Sequence, residues 1–464
     1  MMRTVDSVAC AVLFLHLGAD LLPAQWGPLS TSVAPAPRSS PLLAFDLVGN
    51  RTLMFGGNYT NEFWSLSDGT WTRLTPAVLP GPRARASLAA NLYTGEILLY
   101  GGESGSGSSA LDETWLWNGA NWQQLAPSNT PGGLSRHAMT FDVGRQVIVL
   151  YGGRDHNAPA GQALDGTWEF SQGNWTHCAP AQSPPLLVDV ALSFHQGLNQ
   201  VMLFGGQTAG ATGAASDQTW VYDGTNWTQI NTTGERPPAR SGAQLVPVLG
   251  RNCCLLFGGR DPITQQIFND TWEHDGTKWT KLDNVYGGIY PPRADVGLCH
   301  DLVRDRIVAF GGKTANNELR DDTWEYGAQW QRFGTGCAGS AGTPVLTGRA
   351  AARLGTTCTA DISNVPAGIP FAFMAIGVSR TQWAGGSLPA QLTPFGMPNC
   401  RTYTSADLLA YAPATAGTAT WSYQVPLVPG LVGTPFYLQG VTFDPGANVA
   451  GLAVSNAATL VIGY

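Results

Sequence analysis

Arginine is the residue whose spacing in this sequence first invites chemistry. Arg38, Arg83, Arg240 and Arg293 each stand eighteen residues before the first member of a glycine pair; in the third of six such units the feature is shifted to Arg136, and in the fourth Leu187 replaces it. A guanidinium carries five donors in a fixed fork. A set of them can grip an anionic ligand, or it can satisfy carbonyls and carboxylates between neighbouring units. Arg154 and His156, in the segment RDHNAPAGQALDG, are further candidates for ligand contact because they fall in a variable stretch. His195 takes the place held elsewhere by Asp46, Asn91, Asp142 and Asp301, which reads as a turn position, and His137 precedes the strand-like run AMTFD. A metal site wants several convergent ligands, and neither such a set nor a C-x-x-C pair is apparent, so no metal, no cofactor and no catalytic residue is expected.

The elements that must position these residues are repeats. Glycine pairs recur as Gly56 with Gly57, Gly101 with Gly102, Gly152 with Gly153, Gly205 with Gly206, Gly258 with Gly259 and Gly311 with Gly312, spaced by 45, 51, 53, 53 and 53 residues. Each pair closes a short apolar run such as TLMF or IVLY, as a buried strand would, at a point where the backbone must bend or approach a neighbour. After a variable loop comes a first Trp, at 64, 115, 168, 220, 272 and 324, preceded by Thr in five of six units. A second follows at Trp71, Trp122, Trp175, Trp227, Trp279 and Trp330, across turn residues such as DGTN. Each unit is therefore four strands joined by turns. Charged residues make up only 12% of the chain, and 57 Gly and 31 Pro mark a turn-rich, all-β protein.

These residues resemble the kelch repeat, whose pattern joins a glycine doublet, an aromatic on the third strand and a Trp on the fourth. The resemblance covers residues 36–333 and implies a six-bladed β-propeller, because one four-stranded sheet cannot bury both faces alone while six packed radially can. It also implies that the arginines enter the innermost strands near a channel mouth, where some family members bind acidic groups. The segment 25–35 complicates ring closure: WGPLSTSVAPAPR, from Trp26, matches WTRLTPAVLPGPR, from Trp71, in spacing. It reads as a fourth strand without its first three, so either it or the Trp330 strand closes the ring. Repeat register also sorts the cysteines. Cys254, Cys299 and Cys178 occupy slots that are apolar or small elsewhere, whereas Cys253 shares a mostly polar slot with Arg51, Glu96, Gln200 and Arg306 and is expected to be the most exposed in the propeller. A Cys254–Cys299 bridge between adjacent blades is conceivable, but packing is the preferred reading.

From residue 334 to 464 there is no Lys, Glu or His, and alternating runs such as TCTADIS, FAFMAIG and TWSYQVPL read as a small β-sandwich. General acid–base chemistry has little to work with there. The motifs GTGCAGSAGTPVL, PFGMPNC and SNAATLVIGY resemble a C-terminal domain of exported planctomycete-type bacterial proteins, and this resemblance implies a disulfide between Cys337 and Cys400.

At the other end, residues 1–24 read as a signal peptide, with Arg3 before an apolar stretch from Val8 to Leu17 and small Ala24 before a polar shift. No other stretch is long and apolar enough for a membrane helix. A net charge of -7 without a basic cluster argues against nucleic acid as a partner. The expectation is an exported, noncatalytic binding protein, secreted or in the periplasm or cell envelope, whose propeller loops contact a protein or a glycan. The alternatives are a galactose-oxidase-like or sialidase-like enzyme on the same fold, for which the copper ligands and the arginine triad are not recognisable, and a structural envelope or adhesion component.

Overall fold

The computed structural model describes residues 25–462, apart from 30, 32, 68, 106–108, 156–165, 209–212, 232–233, 250–251, 283–289, 303, 305, 328–330, 349–351, 353–354, 384–385 and 429–434. The proposed signal peptide, His156 and Trp330 lie outside the described residues.

Residues 25–327 form one compact unit, a six-bladed propeller. Blade 1 runs from the channel outward as Leu42–Asp46, Arg51–Phe55, Phe63–Ser67 and Thr70–Leu74. Blades 2 to 5 repeat this order, and their innermost strands are Ser87–Ala90, Ala138–Asp142, Ala191–His195 and Gln244–Val248. Blade 6 takes three strands from the end of the unit, Gly297–Asp301, Arg306–Phe310 and Thr323–Gly327, and its outermost from the beginning, Gln25–Leu29. The N-terminal strand therefore closes the ring, and Gln331–Phe333 pairs instead in the C-terminal sheet.

Ring closure is also written in the tryptophans. The outer-strand indole of each blade donates to the threonine that opens the third strand of the preceding blade: Trp71 to Thr323, Trp175 to Thr114, Trp227 to Thr167, Trp279 to Thr219, and Trp26 to Thr271, at 2.8 to 3.0 Å. Trp26 thus does for blade 6 what the repeat Trp does elsewhere. Blade 1 breaks the pattern with Phe63, and the facing Trp122 indole nitrogen is buried without a partner. Phe63 instead packs its ring against Trp117 and Trp122, at 4.9 and 5.6 Å between centroids.

The two glycines of each pair answer to different neighbours. A Cβ on the first, at Gly101, Gly152, Gly205, Gly258 or Gly311, would stand 2.5 to 2.7 Å from a backbone carbonyl of the next blade, and all five have positive φ. The second glycine donates its N–H to that same carbonyl: Gly102 to Leu134, Gly153 to Leu187, Gly206 to Arg240, Gly259 to Arg293 and Gly312 to Arg38, at 2.8 to 3.1 Å. It also presses on the chain entering the innermost strand of its own blade. There a Cβ on Gly57, Gly102, Gly153, Gly259 or Gly312 would meet Pro41, Ala86, His137, Ala243 or Ala294 at 2.8 to 3.0 Å. All twelve glycines are therefore structural, holding the blade corner and carrying no side chain toward a ligand.

The C-terminal unit is one antiparallel sheet in the order Gln331–Phe333, Leu452–Val461, Pro435–Phe443, Phe371–Gly377, Leu408–Thr415, Thr418–Gln424, Thr357–Ser363, Val345–Gly348. It curls until Val345–Gly348 packs beside Leu452–Val461, so its two halves face each other across one core of Leu346, Cys358, Ile362, Met374, Trp421 and Leu438. A satellite cluster of Met397, Ala453 and Val454 surrounds the disulfide that joins Cys337 to Cys400.

Candidate binding site at the channel mouth

Arg38, Arg83, Arg240 and Arg293 are at most 1% exposed. Each guanidinium bonds the carbonyl of the first glycine of its own blade (Gly56, Gly101, Gly258, Gly311) at 3.0 to 3.1 Å. Each also pairs with a carboxylate two residues before the first Trp: Glu62, Glu113, Asp270 and Asp322 respectively. That carboxylate accepts from the indole as well, as Asp270 does from Trp272 at 2.8 Å. Burial disfavours ionisation of these acids, but the arginine and indole donors outweigh it and hold all four below the usual carboxylate range. Buried and bonded within the blade that carries them, these arginines present no ligand-facing surface. They brace single blades rather than bridging neighbours.

Blades 3 and 4 show why arginine is missing there. Leu134 and Leu187, both fully buried, fill the arginine slot, and the carboxylate slot holds Gly166 and Gln218. Both members of the pair are absent together, so no buried charge is orphaned. Arg136 is therefore not a shifted member of this set. It stands two residues further on, at the position of Ser40, Arg85, Asp189, Gly242 and Asp295.

Those six residues form the mouth of the channel. All have positive φ, between 52° and 63°. Each turns the chain into its innermost strand, and the turns are stitched around the ring by backbone bonds: Arg136 N to Arg85 O, Asp189 N to Arg136 O, Gly242 N to Asp189 O, Asp295 N to Gly242 O and Ser40 N to Asp295 O, at 2.7 to 3.2 Å. Behind this ring stands a second tier, the residue after each glycine pair: Asn58, Glu103, Arg154, Gln207, Arg260 and Lys313. Short ladders hold the tiers side by side, as between Ala84 and Glu103, Ser135 and Arg154, and Ala294 and Lys313.

The two tiers carry a charge network that differs from blade to blade. Glu103 is nearly buried and accepts from Arg85 at 2.9 Å, from the Ser135 hydroxyl at 2.9 Å and from the Tyr59 phenol at 3.1 Å, with Arg136 at 3.7 Å. Burial opposes its ionisation, yet Arg85, Ser135 and Arg136 together keep its carboxyl below the usual range. Asp189 pairs with Arg136 at 3.1 Å; Asp295 pairs with Lys313 at 2.8 Å and more loosely with Arg260 at 3.9 Å. Burial raises the Asp189 pKa despite Arg136, and the Asp295 charge adds to the rise. Arg154 is exposed at the rim. Below the mouth lies a channel of about 250 Å³, bounded at its far end by Leu92, Val143, Leu249 and Leu302.

The two tiers set fixed charges of both signs, a phenol and preformed backbone turns around a concavity, groups that can bind a polar ligand. Among the described residues no three of His, Cys, Asp and Glu converge as metal ligands do. His195 is a turn residue, as its register implies: Nδ1 accepts from Leu198 N at 3.2 Å, matching the Asp142 carboxylate and Arg145 N. Its Nε2 donates to His274 O at 3.0 Å.

The cysteines require one correction. Cys253 is buried, at 2% exposure, and Cys178 is the partly exposed one. The slot is partly exposed at Arg51, Glu96, Val147 and Gln200 but enclosed in blades 5 and 6, where Cys253 and Arg306 are buried. Cys254 and Cys299 are unbridged because they face opposite ways, Cys254 bonding Phe194 O of blade 4 and Cys299 lying beside Thr52 of blade 1.

Comparison with known proteins agrees with this geometry. Residues 118–312 and 191–343 match the family model described as KLHDC2/KLHL20/DRC7 Kelch-repeats domain. The propeller carries kelch repeats. The chain is 27% identical over 246 residues to human multiple epidermal growth factor-like domains protein 8, and 28% identical over 244 residues to its rat counterpart. Each alignment takes in 49% of this chain but 8% of the relative, so the kelch segment spans a small part of those proteins. A solved structure of YCF48 bound to D1 peptide aligns over 67% of this chain and 97% of its own, with 12% identity and a TM-score of 0.36, too low to speak for a shared fold.

Proposed function

We propose that this is an exported, noncatalytic binding protein whose kelch propeller contacts a protein or a glycan at the charged channel mouth. Kelch propellers are typical protein-binding scaffolds, and no helix among the described residues is long and apolar enough to cross a membrane. The observation that carries the reading is the second-tier and mouth network of Arg85, Glu103, Arg136, Asp189, Asp295 and Lys313. These residues differ between blades while the scaffold beneath them repeats, which is what a surface adapted to one ligand requires.

The test is a binding screen of the purified protein against glycans and envelope proteins, repeated with an Arg85→Ala/Arg136→Ala variant. Loss of the ligand in the variant supports the mouth; undiminished binding moves the site elsewhere. Elemental analysis of the dialysed protein separates the enzyme alternative. Near-stoichiometric copper would replace the binding reading with an oxidase.

A further inference from the structure

The C-terminal sheet carries an exposed aromatic patch on the face away from its core, bordered at Val441 by the cluster around the disulfide. Along Phe371–Gly377 the residues Ala372, Met374 and Ile376 point into the core, so Phe371 and Phe373 point outward. Along Leu408–Thr415 the inward set is Ala410, Ala412 and Ala414, leaving Leu409, Tyr411 and Pro413 outside. Pairing puts Phe373 between Tyr411 and Val441, and Phe371 beside Pro413. Phe443, two residues beyond Val441, continues the same outward face of its strand. The result is two cross-strand rows over three strands. Tyr411 is 60% exposed, Leu409 58% and Phe443 41%. Phe371 lies 5.4 Å from Phe373 and 6.0 Å from Tyr411, the latter ring tilted by only 32°.

We infer that this face is a binding platform for a neutral polysaccharide. Size argues against a second protein chain. Strand spacing makes the patch roughly 200 Å², against the roughly 800 Å² per partner of a stable protein interface. A few sugar rings fit it better. Chemistry agrees: the C–H face of a pyranose is weakly positive and apolar, and it complements the negative face of an aromatic ring. The outer face continues over the neighbouring strands as hydroxyl groups, Thr415, Thr418, Thr420, Ser422 and Thr359, suited to sugar hydroxyls, with one carboxylate among them, Asp361, which accepts from Thr420 at 2.9 Å. Charge is nearly absent: residues 334–464 contain no Lys, Glu or His. An anionic polymer or membrane would find little to hold it there.

The experiment is native affinity electrophoresis of the full chain in gels containing hydroxyethyl cellulose, xylan, laminarin or mannan. Retardation is expected with at least one of them and should persist in molar sodium chloride. Phe373→Ala/Tyr411→Ala should weaken it by at least about tenfold, whereas Lys278→Ala, at an exposed propeller position away from the mouth, should leave it unchanged. The single variant Tyr411→Lys, at an exposed position, guards against misfolding of the double one and should also lose retardation. Failure of all four polysaccharides to retard the protein overturns the inference. So does retardation that both platform variants retain. A change of sedimentation coefficient in those variants without polysaccharide binding assigns the face to self-association instead.

Discussion

Arg83 and Arg85 are two residues apart and do different work. Arg83 lies under the glycine corner with its charge spent on Gly101 and Glu113; Arg85 lies at the mouth, 31% exposed along its side chain, holding Glu103. The first kind recurs in four blades because each blade needs it for itself. The second kind appears as Ser, Arg, Arg, Asp, Gly and Asp around the ring, because the mouth is a property of the whole ring. Regular recurrence therefore marks scaffold here, and departure from it marks the surface available to a ligand.

The sharpest way to break this comparison is to remove each kind in turn. Arg83→Ala/Arg240→Ala/Arg293→Ala leaves three carboxylates without their cation: Asp270, largely buried, at about 3 kcal/mol, the low end for a broken buried pair, and Glu113 and Asp322, about a third exposed, at less. The triple variant should fail to give a cooperative melt. A melt like that of the parent would return these arginines to the ligand-binding set.

Acid should act next. Burial pushes His137 and His274 down to about 4, and lowers His195 as well, so all three fold neutral. The unfolded chain binds their protons at pH near 6.5 and the folded one does not. Stability should be full above that pH and fall between about 6.5 and 4, by up to about 3 kcal/mol for each of the first two. Below that window the low-pKa carboxylates Glu62, Glu113, Asp270 and Asp322 lose their pairing in turn. Melting temperatures from pH 7 to pH 4 measure it; a flat profile over that range would contradict the burial of these rings.

A smaller effect tests the blade seams. Thr219→Val strands the Trp279 indole and should cost about 1–3 kcal/mol by chemical denaturation. The reverse design, Phe63→Thr, offers Trp122 its missing acceptor, yet it should still destabilise the protein. A new hydrogen bond contributes about 1 kcal/mol, less than the several kcal/mol lost with a buried aromatic ring. At the mouth, Arg85→Ala/Arg136→Ala strips the nearly buried Glu103 of both its cations, so it should cost about 3 kcal/mol in unfolding, as a broken buried pair does, as well as removing ligand binding. Finally, a thiol reagent applied to the native protein should label Cys178 well before Cys253; the opposite order would restore the exposure that register implies for Cys253.

Much of the scaffold is legible from spacing. Glycine pairs, Trp positions and turn residues recur at fixed intervals because every blade meets the same steric and hydrogen-bonding demands. The match of WGPLSTSVAPAPR to a fourth strand even names both candidates for closing the ring. The mouth is not legible in the same way. Its signal is the position sixteen residues before each glycine pair, where Ser40, Arg85, Arg136, Asp189, Gly242 and Asp295 share register but not chemistry. Arg136 belongs to that register, and aligning it with Arg83 conceals the difference.

The order of residues determined by itself that the chain is all-β, that six repeats of four strands pack around a centre, and that His195, Cys254 and Cys299 fill structural slots. These follow from local periodicity and from volumes that repeat. Only the tertiary structure decided which strand closes the ring, which arginines are spent internally, and which charges meet at the mouth. Those outcomes depend on contacts between residues far apart in the chain, such as Trp26 with Thr271 and Asp295 with Ser40, and no local pattern encodes the distance between them.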